Sequence, residues 1–165
     1  MVIVVMGVAG AGKTTVGSLL ARQLGWAFFD ADDFHGPADV AKMARGEPLD
    51  DTDRVVWLDA LAALIDRLLH EQRPAVLACS ALRASYRARL YGRHGDAEVR
   101  IVYLRGDPGL IRSRLETRQG HFASAGLLPS QLATLEEPQN ALVVDVDAAP
   151  ATIVERIRDG LGLAG

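Results

Sequence analysis

Eight consecutive residues carry the plainest chemistry in this chain. Gly7-Val8-Ala9-Gly10-Ala11-Gly12-Lys13-Thr14 fits the spacing G-x-x-x-x-G-K-[ST], and Thr15 extends it. Glycines at these positions let the backbone wrap closely and aim its N–H groups at phosphate oxygens. A helix opening at Lys13 adds partial positive charge at the same spot. Lys13 can reach the β- and γ-phosphates of a nucleoside triphosphate, and Thr14 offers a hydroxyl to Mg²⁺. A glycine-rich turn that matched by accident would lack the right flanks. Here Val2 to Met6 reads as a strand and Lys13 to Leu24 as a helix, which is the context the motif demands. The motif points to a nucleoside triphosphate and leaves the acceptor open.

Acidic and basic residues further along suit an acceptor. Asp30-Ala31-Asp32-Asp33-Phe34-His35 follows a second short strand, Ala27 to Asp30. Asp30 is placed to hold Mg²⁺ through water. Asp32 can accept a hydrogen bond from an acceptor hydroxyl and take its proton as the P–O bond forms. The alternative is that these carboxylates cap the next helix. Asp51 or Thr52 is expected to cap a long helix, Thr52 to Leu69, with Arg54 in its first turn, where a cation opposes the helix dipole. An anionic partner would compensate, and a guanidinium fork suits a carboxylate. Pairing with Asp50 or Asp51 is the competing use. Trp57 reads as core or pocket wall.

Arg114 and Arg118 are four apart and expected to share a helix face, where arginines could close over a triphosphate. A solvated face paired with Glu116 is the alternative. Gly120 and Gly126 bracket a polar stretch, so residues 118 to about 130 are expected to move as a lid. Ser80, after the third strand, is a candidate hydrogen-bond donor to substrate or to Mg²⁺-bound water. Neither it nor Cys79 has a neighbouring base that would make a nucleophile. The segment Asp145 to Pro150, with Asp147, lies where the adenine base should sit.

The elements that must position these groups follow from periodicity. Apolar runs at Val2 to Met6, Ala27 to Asp30, Ala75 to Cys79, Val99 to Leu104 and Leu142 to Val146 alternate with helical patterns at Lys13 to Leu24, Thr52 to Leu69, Leu82 to Tyr91, Pro108 to Arg118 and from Pro150 onward. The strands lack clean alternation, as expected when helices cover both faces. The expectation is a single α/β domain over residues 1–165, a five-stranded parallel sheet with helices on both faces and a mobile lid, and ligands beyond the carboxyl ends of the strands.

Bulk properties narrow the class. The chain has 165 residues, enough for one core, with 49% hydrophobic and 24% charged residues and a formal net charge of −3. That charge offers no footprint for nucleic acid or an anionic membrane. One cysteine, Cys79, permits no disulfide within the chain and suits the reducing cytoplasm. The apolar start is too short and lacks the basic lead of a signal peptide.

Beyond these readings, the run Asp30 to Leu58 resembles the gluconate kinase family. The resemblance continues through Ala78-Cys79-Ser80-Ala81-Leu82 with Tyr86-Arg87, Arg114 to Phe122, Leu127 to Gln131 and Leu135 to Pro138, so it spans nearly the whole chain. It implies Mg²⁺-dependent transfer of phosphate from ATP to the 6-hydroxyl of gluconate, a nucleoside-monophosphate-kinase-like fold with a lid, and a homodimer. It also implies that Arg114 lies against adenine and Arg118 reaches the phosphates. The acceptor would meet Asp32, His35, Lys42, Met43, Arg54, Ser80, Arg83, Arg87, His121 and Gln131. The chain departs from the family pattern at Gly36 (usually proline), Asp39 (asparagine), Val56 (proline) and Arg83 (commonly lysine). Two other readings remain. One is a shikimate or nucleoside monophosphate kinase, though shikimate kinases carry a glycine triplet where Cys79-Ser80-Ala81 stands. The other is a nucleotide-dependent switch or binding module.

Overall fold

The computed structural model describes residues 1–118 and 122–163, without the side chains of 122–125. Five strands form one parallel sheet: β1 (Val2–Met6), β2 (Ala27–Asp30), β3 (Ala75–Ala78), β4 (Val99–Arg105) and β5 (Leu142–Asp145), in the order β2-β3-β1-β4-β5. Seven α-helices accompany them: α1 (Lys13–Leu24), α2 (Pro37–Ala44), α3 (Asp51–His70), α4 (Ala84–Tyr91), α5 (Pro108–Thr117), α6 (Phe122–Thr134) and α7 (Pro150–Leu161), with a short 3₁₀ turn at Ala31–Phe34. Because β1 is central and covered on both faces, all five of its residues are buried. An uninterrupted apolar strand is what that position selects.

Two apolar layers sandwich the sheet. On one face Val16, Leu20, Ile111, Leu115, Leu128, Ile153 and Ile157 pack against Ile3, Val5 and Val102. On the other, Trp57, Leu61, Ile65 and Leu68 of α3 and Leu90 of α4 pack against Val2, Val4 and Leu77. The helical spacing of the α3 residues is what turns one stripe of a 20-residue helix onto the strands.

Four expectations are corrected here. The long helix is capped by Asp50, whose side chain accepts from the Asp53 N–H while Asp53 accepts from the Asp50 N–H. That reciprocal pair displaces Asp51 and Thr52 from the capping role. The fourth helix starts at Ala84 rather than Leu82, because Arg83 is extended at φ −95° and ψ 145°, which a helix interior cannot include. Arg118 lies off helix α5, in extended backbone at its end, so it does not share a helical face with Arg114. The stretch read only as polar holds helix α6 from Phe122 on, and Leu128 within it is wholly buried. Helix α2 went unread because its eight residues, little more than two turns, offer too short a period.

Candidate active site

The cradle closes around its glycines. Gly10 and Gly12 sit at φ of 82° and 94°, and a Cβ on Gly10 would come within 2.7 Å of Leu115 Cγ. Only glycine meets both demands. Lys13 starts α1 and returns over the loop, its Nζ donating to the Val8 carbonyl at 3.0 Å. Burial pushes the Lys13 ammonium below its ordinary value, and Asp32, Cys79 and Asp30 oppose the shift. The lysine is therefore lodged among protein atoms rather than extended into solvent.

Beside it the carboxyl end of β2 delivers two aspartates with different surroundings. Asp30 Oδ2 accepts from Thr14 Oγ1 at 2.8 Å, and Asp30 Oδ1 accepts from the Asp32 N–H at 3.0 Å. A hydroxyl and a carboxylate joined in this way form a hard-oxygen pair that fits Mg²⁺. No group of three or more His, Cys, Asp or Glu able to hold a metal occurs among the described residues. The pair therefore suits a cation that keeps waters and phosphate oxygens as its remaining ligands. Asp32 carries no side-chain ion pair among the described residues. Burial, then the Asp30 charge, raises its carboxyl above the ordinary aspartate range, with Lys13 and His35 pulling it partly back.

These groups line one cleft of about 290 Å³, with Ala9, Gly10, Lys13, Thr14, Asp30, Asp32, Cys79, Ser80, Arg118 and Gln131 in its walls. A second cleft of about 480 Å³ runs along the other side of the cradle, between Gly10 to Gly12, Thr15, Arg114, Arg118 and Ala148 to Pro150. Arg118 borders both clefts. Arg114 is anchored by a bond to the Val146 carbonyl. The arrangement offers a phosphate cradle with an acceptor-sized space on one side, a base-sized space on the other and one arginine between them.

Other candidates are distributed differently. Asp147 does not line the base-side cleft; it turns outward to Arg156 at 3.3 Å, and Ala148 to Pro150 form that wall instead. Lys42 is held by Asp53 at 2.8 Å and Asp50 at 3.9 Å, and Met43 is an exposed residue of α2. His35 stacks on Trp57, centroids 4.6 Å apart, with its Nδ1 3.8 Å from Asp39. Trp57 is core, donating its Nε1–H to the Ala31 carbonyl at 2.7 Å. Arg54 lies outside the lining of the acceptor-side cleft, 3.4 Å from the Tyr86 hydroxyl and 3.8 Å from Asp51. The Arg83 guanidinium lies over the Tyr86 ring at 5.7 Å.

Arg87 is buried and donates to the Ala81 and Leu82 carbonyls at 2.9 and 3.1 Å, so it holds the loop after Ser80. Its burial lowers its own pKa. Cys79 is a buried thiol pushed up to about 12, unfit as a nucleophile. His121 lies outside the described residues.

A family described as "AAA domain" matches residues 2–138. The gluconokinase of Gluconobacter oxydans is 45% identical over 162 residues, covering 94% of this chain and 88% of that protein. A probable gluconokinase of mouse is 41% identical over 178 residues, covering 97% of each. A solved gluconokinase from Sinorhizobium meliloti is 40% identical, covers 97% of this chain and 90% of that one, and superposes with a TM-score of 0.83. The chain belongs to the gluconokinase family of P-loop kinases.

In this gluconokinase-family chain two contacts escaped sequence reasoning. The Glu136 side chain accepts from the Ala84 N–H, while the Glu136 N–H donates to the Leu82 carbonyl at 2.8 Å. Gln131 Oε1 accepts from the Ala9 N–H at 2.6 Å, across 122 residues of sequence. Neither leaves a local signal, because each depends on where α6 lands on the sheet.

Proposed function

We propose that the protein transfers the γ-phosphoryl group of ATP to the 6-hydroxyl of D-gluconate, giving 6-phospho-D-gluconate and ADP. The observation that carries this reading is the convergence of Lys13, Asp32 and Arg118 on one cleft at the mouth of the cradle. The names borne by relatives over nearly the whole chain support the acceptor. ATP would lay its phosphates along the amides of Gly7 to Thr15 and its base against Arg114 and the Ala148 to Pro150 wall. Asp32 would accept the proton of the attacking hydroxyl, a task for which a raised carboxyl is better matched than an ordinary one. Lys13 and Arg118 would stabilise the charge spread over the transferring oxygens. Thr14 and Asp30 would hold Mg²⁺, which bridges and neutralises phosphate oxygens when bound.

Arg54, with Arg83 and Tyr86 beside it, is read as the anchor for the gluconate carboxylate. Asp51 approaches Arg54 only at 3.8 Å and is itself exposed, which leaves the guanidinium available. The working form is read as a cytoplasmic homodimer, to be checked by light scattering and cell fractionation. No helix among the described residues is long and apolar enough to cross a membrane.

The deciding experiment measures ADP release with gluconate, shikimate, other sugar acids and nucleoside monophosphates, each with and without Mg²⁺. Release that depends on gluconate and on Mg²⁺ is expected. Equal release with no acceptor would favour the switch or binding-module reading and overturn this one.

A further inference from the structure

The contact between Gln131 and Ala9 assigns a role within the reaction itself. A carboxamide has an accepting end and a donating end. The partner here is a backbone N–H, so the Gln131 carbonyl must face Ala9, and the orientation of the amide is settled by the bond at 2.6 Å. Its NH₂ end has no hydrogen-bond partner among the described residues, yet it is not one of the buried unsatisfied atoms. Gln131 lines the acceptor-side cleft together with Lys13, Asp32 and Arg118. The free donor end is thus accessible, on a residue that lines the cleft where phosphoryl transfer is proposed.

Ala9 matters for where that donor stands. It lies two residues after Gly7 and four before Lys13, in the part of the cradle that borders the acceptor-side cleft. Gly10 borders both that cleft and the one on the far side of the cradle, but Ala9 and Gln131 border only the acceptor side. A group bonded to the Ala9 amide therefore sits at the end of the phosphate chain that faces the acceptor. The position is also fixed mechanically. Helix α6 is pinned by Leu128, wholly buried among Val8, Ala11 and Leu115, and its exit is tied to the Leu82 carbonyl through the Glu136 N–H.

We propose that Gln131 is a catalytic donor: oriented by the Ala9 N–H through its Oε1, it donates its Nε2–H to a non-bridging oxygen of the phosphoryl group in transfer. Fixed donors aimed where charge develops are effective because they need no reorganisation during the reaction. This inference rests on the kinase reading given above and assigns Gln131 to the phosphoryl group rather than to the sugar acid.

The test uses three variants of the full chain. Gln131→Glu retains an acceptor for Ala9 but replaces the donor end with a charged oxygen. Gln131→Ala removes both ends. Gln131→Asn keeps both ends on a shorter stem. Expected are a fall in kcat of about 100-fold for the glutamate variant and at least about 10-fold for alanine. KM for ATP and for gluconate should stay within about 3-fold, and the asparagine variant should recover part of the loss.

A second readout does not require turnover. ADP with fluoroaluminate mimics the phosphoryl group in flight, so it should raise the thermal midpoint of the wild type beyond ADP alone. That extra rise should be lost in Gln131→Glu while the ADP shift persists. Wild-type kcat in Gln131→Glu, or an undiminished fluoroaluminate shift, overturns the proposal. A parallel rise in KM for gluconate with kcat unchanged also overturns it, and returns Gln131 to the sugar acid. Absence of gluconate turnover in the wild type would instead sink the kinase reading, and the fluoroaluminate arm separates the two failures.

Discussion

At the scale of single residues, burial acts against the charged forms of two groups in the site. Burial lowers the Lys13 pKa, so its ammonium is a net cost to the free protein at neutral pH. Lys13→Met should abolish turnover while the thermal midpoint stays level or rises, as measured by scanning fluorimetry beside the activity assay. A large fall in the midpoint would mean that the lysine serves the fold. Asp32 shows the mirror case. Its folded pKa is raised, so the stability of its neutral form is present below the ordinary aspartate value of 3.8 and is lost as pH rises through the folded value. At neutral pH the ionised carboxylate therefore costs stability. Asp32→Asn should raise the midpoint and lower kcat by about 10² to 10⁴-fold. In the wild type the acid limb of kcat should fall above pH 3.8. An acid limb at or below that value, with an asparagine variant that keeps its rate, would remove Asp32 from proton transfer.

At the scale of elements, the strands and the cradle were legible because their signals are local. An apolar run such as Val2 to Met6 and a glycine spacing such as Gly7 to Gly12 need no tertiary information. What stayed hidden was decided at a distance. Helix α2 lacks the length for a period, and α6 carries Gly126 and Pro129, which argue against a helix unless packing overrides them. Arg87 was placed at the acceptor by the family resemblance, because its burial is not visible in the sequence. Its burial and its two carbonyl partners appear only once α4 lies against the sheet. This element carries its own prediction. Ala81 is held at a left-handed φ of 44°, which a residue with a Cβ resists, and the Arg87 Nη1 fork is the bond that retains it. Arg87→Met should cost about 1–3 kcal/mol in denaturant unfolding, because the buried Ala81 carbonyl loses its donor and the Leu82 carbonyl keeps only the Glu136 N–H. Adding Ala81→Gly should return part of that loss by relieving the turn. If the double variant is weaker than the single one, the loop is not strained in the way described.

At the scale of the whole molecule, the two proposed ends of the acceptor belong to different parts of the architecture. Asp32 follows a strand of the sheet, whereas Arg54 rides on the first turn of α3 beside Tyr86 of α4 and outside the cleft lining. Gluconate carries its reactive hydroxyl and its carboxylate at opposite ends, so one bound molecule would tie the sheet edge to α3 and α4. The first turn of α3 already holds Asp51 and Asp53 near the positive end of its dipole, which makes Arg54 the group there that gains most from an added anion. Loss of Arg54 should then act on acceptor binding and leave the cradle untouched. Arg54→Ala should raise KM for gluconate about 10- to 100-fold, the lower part of the range for a charge pair because the guanidinium is only partly buried. KM for ATP should change by less than about 2-fold, and kcat at saturating gluconate should be largely kept, since a contact made equally in ground and transition states appears in KM alone. Calorimetry separates this from a structural effect: ADP affinity should be unchanged in the variant while the heat of gluconate binding disappears at the concentrations that saturate the wild type. Unchanged gluconate affinity in Arg54→Ala would show that the carboxylate is held elsewhere and would leave the Arg54–Tyr86 contact as an internal tie between α3 and α4.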